Sequence, residues 1–203
     1  SKFYATGTSL NDRTDDGAGG ALYFYNLNLT LDNVTVTDSQ AWRKGGGIYH
    51  KFGDATISNS TITGNRASNF DATNGVDAYG GGVFLNTGNQ NLDLVQTLSN
   101  NTIQNNAVGA VTGNAGGAVD LRARGAGAYV YSNSNGNKVV NLTGNNISSN
   151  TITALNNARS AYIKGAGVYT FSDSSHTLNV SGNTFNNNNA TNQSSLNLSL
   201  IHI

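Results

Sequence analysis

The residues that could carry out chemistry in this chain of 203 residues are few and scattered. Asp12, Asp15 and Asp16 lie together in NDRTDDG, where carboxylate oxygens could hold Ca²⁺. The stretch lacks the closing Glu of an EF-hand loop, and the chain lacks the Gly-rich calcium nonapeptide repeat. We therefore interpret it as a solvated loop, and we expect neither a metal site nor a cofactor.

A second charged stretch, DLRARG at residues 120–125, raises polysaccharide cleavage as an alternative function. Glycoside hydrolysis needs two carboxylates at a fixed separation. Other Asp residues are instead dispersed, mostly in connectors, among them Asp54, Asp71, Asp77, Asp93 and Asp173. His50 and His176 do not share a repeat position, so no triad is indicated. We predict no catalytic residues, with a carbohydrate-active enzyme, or a carbohydrate-binding segment of one, as the alternative.

Composition excludes several classes of partner. Eleven basic residues balance eleven acidic ones, all of them Asp, so the chain lacks the positive charge of a nucleic-acid binder. Cys is absent, which excludes disulfides and thiolate metal sites. No apolar run reaches the length of a transmembrane helix, and we expect no membrane insertion of this segment.

One sequence pattern recurs along the chain. ATISNSTITGNRA at residues 55–67 has relatives in LTLDNVTVTDSQA (29–41), QTLSNNTIQNNAV (96–108), VNLTGNNISSNTI (140–152) and LNVSGNTFNNNNA (178–190). Each copy has one central apolar residue, which predicts a core column of Val36, Ile62, Ile103, Ile147 and Phe185. Three residues later four copies carry Asn, and these amides could hydrogen-bond from copy to copy as a ladder of Asn65, Asn106, Asn150 and Asn188.

A glycine motif precedes each copy and is followed by an aromatic residue. The motif reads GGAL, GGIY, GGVF, GAGAY and GAGVY, and the aromatic positions are Tyr49, Phe84, Tyr129 and Tyr169, with Leu22 in the first copy. Because side chains alternate along a strand, these rings should point away from the core. An exposed stripe of rings could stack on sugars or on a protein partner. We favour the alternative, in which the rings stack on one another and stiffen the molecule.

These patterns predict the architecture. The segments are short, alternate with Thr, and end at Gly or Asn, which favours strands and tight corners over helices. Such strands are stable only when stacked coil on coil. We therefore predict an all-β, right-handed parallel β-helix of about five coils, truncated at both ends. It would form one unit over residues 1–197, with recognisable repeats at 17–190.

The connectors between copies differ in length. Successive central apolar residues are 26, 41, 44 and 38 residues apart. Connectors that vary in length usually carry variable chemistry. We therefore expect partner binding at residues 65–79 and 108–124.

The glycine motif and the apolar-x-x-Asn motif, with FNNN at residues 185–188, resemble the repeats of chlamydial-type polymorphic outer membrane proteins and related bacterial β-helix proteins. The resemblance covers residues 17–190. It implies an autotransporter passenger, secreted or displayed on the bacterial cell surface and part of a longer chain. Such a passenger would act as an adhesin or structural stalk that contacts host or environmental glycans or surface proteins.

The last six residues are set apart from this scheme. LSLIHI at residues 198–203, which includes His202, is typical of a translated sequencing-library adapter, and we exclude it from the fold. The alternative is a natural apolar β segment.

Overall fold

The computed structural model of the chain describes residues 17–69, 76–88, 92–111, 120–132, 136–155, 160–172 and 176–192. Throughout these residues every regular element is a β-strand. In this part of the chain there is no helix that is both long and apolar enough to cross a membrane. Segment 198–203 lies outside the described residues.

The strands fall into five successive coils. Coil 1 contains β1 (Leu22–Tyr25), β2 (Leu29–Asp32), β3 (Thr35–Thr37) and β4 (Gln40–Ala41). Coil 2 contains β5 (Ile48–Lys51), β6 (Ala55–Ser58), β7 (Thr61–Thr63), β8 (Arg66–Asn69) and β9 (Val76–Tyr79). Coil 3 contains β10 (Val83–Gly88), β11 (Leu94–Ser99), β12 (Thr102–Gln104), β13 (Ala107–Val111) and β14 (Asp120–Arg124). Coil 4 contains β15 (Ala128–Ser132), β16 (Lys138–Thr143), β17 (Asn146–Ser148), β18 (Thr151–Leu155) and β19 (Ser160–Lys164). Coil 5 contains β20 (Val168–Ser172), β21 (His176–Ser181), β22 (Thr184–Asn186) and β23 (Asn189–Asn192).

Each strand pairs in parallel with its counterpart in the neighbouring coil, which creates five sheets along the stack. Sheet I is β1-β5-β10-β15-β20, sheet II is β2-β6-β11-β16-β21, sheet III is β3-β7-β12-β17-β22 and sheet IV is β4-β8-β13-β18-β23. Sheet V has three strands, β9-β14-β19. Strands of two to six residues gain stability here because each pairs with a strand of the adjacent coil. The chain is therefore a parallel β-helix of five coils, as the repeats predict.

The stacking register follows the sequence repeats. The predicted core column forms one file in sheet III, in which Val36, Ile62, Ile103, Ile147 and Phe185 are successive Cα partners. The differing spacings do not disturb this file, because the extra residues lie outside sheet III, in the strands of sheet V, in longer strands of sheets I and II, and in the segments between sheets. A register shift does occur in sheet I, between Asn86 and Gly88.

The core lies inside the coils and has two parts. In β11, Leu94 and Leu98 are buried while Val95 is exposed, which is the alternation of a strand with one inward face. Inward residues of sheets I to III form the larger cluster, which includes Leu85, Leu98 and Ile103. Sheets IV and V enclose a second cluster around Val108 and Leu121.

The core column is not buried along its whole length. Val36, Ile62, Ile103 and Ile147 are fully buried, whereas Phe185 is 45% exposed. Phe185 lies in the last coil, where β22 pairs only with β17 among the described strands. Phe185 is therefore the one member of the core column that is largely exposed, because among the described strands it is covered from one side only.

Candidate functional site

The asparagines predicted as a ladder line the corner between sheets III and IV. Asn65 Nδ2 donates to Asn106 Oδ1 at 3.0 Å, Asn106 Nδ2 to Asn150 Oδ1 at 3.0 Å, and Asn150 Nδ2 to Asn188 Oδ1 at 2.9 Å. Each of these Nδ2 groups also donates to a carbonyl of the preceding coil, as Asn106 does to Ile62 at 2.9 Å. We call this set, Asn65, Asn106, Asn150 and Asn188, the III–IV ladder.

A second ladder, which our sequence analysis missed, lines the corner between sheets II and III. Asn101 Nδ2 donates to Asn145 Oδ1 at 3.0 Å, and Asn145 Nδ2 to Asn183 Oδ1 at 2.8 Å. Ser60 occupies the same position in coil 2, and its backbone N–H donates to Asn101 Oδ1 at 2.9 Å. The signal was present in the repeats, since Asn recurs two residues before the central apolar residue. We call this set, Ser60, Asn101, Asn145 and Asn183, the II–III ladder.

The aromatic column runs along the outer side of sheet I. Tyr49 and Phe84 stack with ring centroids 4.9 Å apart, Phe84 and Tyr129 at 4.8 Å, and Tyr129 and Tyr169 at 5.3 Å. The first member is Tyr23, 5.3 Å from Tyr49, and not Leu22, because the register pairs Tyr23 with Tyr49.

The middle of this column is not the exposed stripe that we weighed against self-stacking of the rings. Tyr49, Phe84 and Tyr129 are only 0%, 3% and 1% exposed. They point away from the core, yet they form a separate buried cluster. Stacked rings at these separations stabilise one another without a ligand, so the middle of the column is a structural element.

Sheet V provides much of the cover over these rings. A short glycine turn joins the end of sheet V to the start of sheet I, so outward side chains of the two sheets meet. Tyr79 lies 5.9 Å from Phe84, and Arg124 Nη1 donates to Tyr129 Oη at 3.3 Å. The Arg124 guanidinium also lies 5.4 Å from the Tyr79 ring and 5.7 Å from the Tyr169 ring. Cations over aromatic faces are favourable, so these contacts close the corner.

The accessible part of this corner lies toward coils 4 and 5. Tyr131 and Phe171 stack at 5.5 Å and are half-buried, as is Tyr169, whose hydroxyl accepts from Lys164 Nζ at 3.4 Å. Tyr162, on sheet V, is 43% exposed. We call the following set the aromatic–basic face: Arg122, Arg124, Tyr131, Tyr162, Lys164, Tyr169 and Phe171.

Charges on this face are mostly positive. Arg122 lies 3.9 Å from Asp77 of the preceding coil in a surface ion pair, while Arg124 and Lys164 contact rings. Burial raises the pKa of Tyr79 and of Tyr129, so both hydroxyls stay neutral at physiological pH. Rings beside cationic groups are suited to stacking on sugars and to contacting anionic groups.

The predicted binding connectors border this face. Residues 65–79 and 108–124 include β8, β9, β14 and all but the first residue of β13, and they lead from sheet IV to sheet V. Their central segments, 70–75 and 112–119, lie outside the described residues. Binding at these connectors stays a prediction.

Two of the described carboxylates, those of Asp54 and Asp93, hold backbone groups. Asp54 Oδ1 accepts from the backbone N–H of Val95 at 2.8 Å, and Asp93 Oδ1 accepts from that of Asn137 at 2.8 Å. Both act between neighbouring coils beside sheet II. Asp77 pairs with Arg122, while Asp71 and Asp173 lie outside the described residues.

Metal ligands are not gathered anywhere in the described part of the chain. No group of three or more His, Cys, Asp or Glu side chains suited to a metal ion occurs there. The predicted solvated loop of Asp12, Asp15 and Asp16, considered above for Ca²⁺, lies outside it.

Three polar side chains lie inside the coils, in a role that sequence analysis did not assign to them. His50 Nε2 donates to the Leu27 carbonyl at 2.8 Å, and Gln96 Nε2 donates to the Gly53 carbonyl at 2.8 Å. Lys138 Nζ donates to the Leu92 carbonyl. Each satisfies a backbone carbonyl near the bend between sheets I and II, which explains polar residues at inward positions.

No family model, curated protein or solved structure matches the chain. The function must therefore be inferred from the geometry of the coils and of the aromatic–basic face.

Proposed function

We propose that this chain is a non-catalytic β-helical passenger, secreted or displayed on a bacterial cell surface, that acts as a stalk and adhesin. Its task is to hold the aromatic–basic face against an extracellular glycan or surface protein. The observation that carries this proposal is the grouping of Tyr162, Tyr169 and Phe171 with Arg122 and Lys164 on one outer corner. The motif resemblance to polymorphic outer membrane proteins agrees with this role.

The scaffold supports the proposal because it is suited to presentation. Two amide ladders and a stacked ring column link the coils along the axis. Asp54 and Asp93 contribute to the same links between coils. A rod built in this way keeps its outer side chains in fixed positions, which reduces the entropy lost on binding.

The test is binding to an immobilised panel of pectin, alginate and host glycans, with the soluble fraction assayed for released sugar ends. We expect retention without turnover. The variant Arg122→Ala/Tyr162→Ala should weaken retention on the order of tenfold, because it removes one exposed cation and one exposed ring. The matched control is Thr102→Ala/Asn146→Ala, on the outer side of sheet III, which should bind as the unaltered chain does.

Two results would contradict the proposal. Equal retention of both double variants would exclude the aromatic–basic face as the contact surface. Release of reducing or unsaturated ends would favour the alternative, a polysaccharide lyase or hydrolase. For that alternative, Asp77 and Arg122 are the described carboxylate and cation to substitute first, because they lie as an outward pair.

A further inference from the structure

The turn between sheets I and II in coil 2 contains a strained aromatic residue. Phe52 has a φ of 68°, in the left-handed region that bulky residues rarely occupy. Asn26, which takes the same position in coil 1, has a φ of 54°, and Asn tolerates this conformation far better. A strained residue, kept where the neighbouring coil uses a tolerant one, indicates a role for its side chain.

The backbone of coil 3 is shaped to receive the Phe52 ring. A Cβ on Gly88 would collide with this ring, so glycine is the residue that leaves room for it. Gly88 stands at the register shift in sheet I, and its N–H donates to Asn86 Oδ1 at 2.8 Å. Local shifts of this kind re-aim side chains, and they are frequent next to functional sites. The ring is therefore held against coil 3 by an adjustment of that coil's backbone.

Two side chains of sheet I complete an aromatic and cationic cluster with Phe52. The Tyr25 and Phe52 ring centroids are 5.4 Å apart, in an edge-to-face arrangement. Lys51 Nζ lies 5.6 Å from the Tyr25 ring centroid and 5.2 Å from that of Phe52. Tyr25 is 54% exposed, so the cluster is accessible to a ligand. We call Tyr25, Lys51 and Phe52 the Phe52 cluster.

The Phe52 cluster lies in line with the aromatic–basic face. Successive Cα partners on the outer side of sheet I are Tyr25, Lys51, Asn86, Tyr131 and Phe171. The first two belong to the Phe52 cluster, and the last two belong to the aromatic–basic face. Parallel strands lie about 4.8 Å apart, so roughly 10 Å separates Lys51 from Tyr131 along the axis of the stack. One extended ligand can therefore reach both sites.

The charges of the two sites indicate the class of ligand. Lys51 lies at one site, and three cations lie at the other, namely Arg122, Arg124 and Lys164. Asp77 offsets one of these charges through its pair with Arg122. Aromatic rings stack on the faces of sugars, and an excess of cations attracts carboxylates. A linear polysaccharide with uronate groups provides both features along its length.

We propose that the Phe52 cluster is a second contact for the ligand of the aromatic–basic face, and that this ligand is a linear acidic polysaccharide. The polysaccharide lies along the axis of the stack. Its sugar rings stack on Tyr25 and Phe52 at one end and on Tyr131 and Phe171 at the other, while a carboxylate contacts Lys51. The inference rests on the proposed function, because the aromatic–basic face supplies the other half of the contact.

The first test compares retention of the full chain on demethylated pectin, alginate and hyaluronan with retention on methyl-esterified pectin, whose carboxylates are uncharged. We expect retention on at least one acidic polymer and little on the ester. Oligomers of two and eight uronate units, prepared from the retained polymer, then show the dependence on length by isothermal titration calorimetry. The longer oligomer should bind at least about tenfold more tightly, because it reaches both contacts.

A double variant locates the second contact. Lys51→Gln/Phe52→Asn removes the cation and the ring, and its second change introduces the residue type that Asn26 provides in coil 1. The variant should bind the longer oligomer about tenfold more weakly, with an affinity close to that for the shorter one. Its urea midpoint should not fall, whereas a purely structural role of the ring would lower it. Thr102→Ala/Asn146→Ala is again the matched control.

The outcomes distinguish failure of this inference from failure of the proposed function. If Lys51→Gln/Phe52→Asn binds the longer oligomer as the unaltered chain does while Arg122→Ala/Tyr162→Ala binds it weakly, the Phe52 cluster is not a contact and the proposed function stands. Equal affinity for the two oligomers would exclude a ligand that spans both sites. Absence of retention on every acidic polymer would overturn this inference, while retention on a neutral host glycan would leave the proposed function standing.

Discussion

At the residue scale, the asparagine side-chain amides link neighbouring coils through hydrogen bonds at both their oxygen and their nitrogen. Asn106 makes use of its whole amide, since Oδ1 accepts the N–H and the Nδ2 of Asn65, and Nδ2 donates to Ile62 and Asn150. A shift by one residue would break these bonds together and would turn the core file outward. The ladders therefore specify the register between coils more strictly than the apolar core does, because each hydrogen bond needs one particular partner.

This role predicts a strong contrast between two neighbouring asparagines. Asn145→Ala should destabilise the chain by at least about 3 kcal/mol, since the Leu98 carbonyl and the two Asn101 donors lose a buried partner. Asn146→Ala, the same change at an exposed outward position, should cost less than about 0.5 kcal/mol. Urea denaturation of both variants measures the difference. Equal losses would mean that the amides contribute little.

His50 is a second residue whose chemistry is set by its place inside the coil. Nε2 carries the proton that is donated to Leu27, while Nδ1 is buried without a hydrogen-bond partner. Burial lowers the pKa of His50 from its usual 6.5, against the opposing effects of the Leu27 carbonyl and of Asp54. The folded chain thus holds this imidazole neutral.

Folding stability should therefore fall on mild acidification. The unfolded chain binds a proton as the pH falls through 6.5, whereas folded His50 resists it until its lower pKa is reached. The contribution of neutral His50 to the free energy of unfolding is fully present above pH 6.5 and is lost as the pH falls below 6.5. We expect His50→Gln to flatten the change in unfolding free energy between pH about 8 and about 5.5.

Burial also lowers the pKa of His176, so this residue would add its own pH dependence. The chains with and without His50→Gln should therefore be compared when both carry His176→Gln. Urea midpoints at both pH values provide the measurement. An unchanged pH dependence in the double variant would show that His50 is not the titrating group.

At the scale of the element, each coil turns its corners on residues in the left-handed backbone region. The residue before each ladder position has a positive φ, as in Asn59 (50°), Asn100 (54°) and Gly144 (65°). Gly and Asn tolerate this conformation best, which explains their recurrence at the corners. At the corner between sheets V and I, the described residues with positive φ are all Gly, and Gly80 (62°) is an example.

Substitution of two glycines with positive φ should distinguish the cost of backbone strain from the cost of steric crowding. A Cβ on Gly80 would lie 2.5 Å from the Val83 carbonyl oxygen, whereas a Cβ on Gly182 would meet nothing closer than 3.7 Å. Both have φ near 60°, so Gly182→Ala measures strain alone, about 1 kcal/mol. Gly80→Ala should cost clearly more, about 3 kcal/mol, because the corner must also open. Thermal unfolding of both variants measures this, and equal costs would show that the corner is not crowded.

At the scale of the whole molecule, the coils form a stack in which each contacts its neighbours. Residues at equivalent positions are 26 to 44 residues apart in sequence, yet the strands of sheets II and III pair without a shift. Length differences are thus confined to the connectors. Stability in such a stack is close to a sum over coils and their interfaces.

Position in the stack should then decide the cost of a core substitution. Ile103→Ala, in the middle coil, should cost about 2–5 kcal/mol because it leaves a cavity. Phe185→Ala, in the same file, should cost about 1 kcal/mol, because its ring is already 45% exposed. Denaturation supplies both values, and a larger loss at Phe185 would show that the last coil is covered in solution.

The sequence by itself determined the coil. Periodic residues specify which side of a strand faces inward, so the file through Ile62 and Ile103 and the five-coil β-helix followed from the repeats. The II–III ladder was within reach of the same alignment, since Asn101 and Asn145 occupy equivalent positions.

Only the tertiary structure decided what lies outside each strand. Alternation predicts that Tyr49 points away from the core, but it cannot reveal that sheet V and neighbouring rings bury it, because that depends on contacts between distant residues. The position of Tyr23, and not Leu22, at the head of the column was by contrast within reach of the sequence, since GGALY at residues 19–23 aligns without a gap with GGGIY at residues 45–49. The exposure of Phe185, like the burial of Tyr49, was decided by the tertiary structure, because a repeat specifies a neighbour on each side and only the stack shows which neighbours are present.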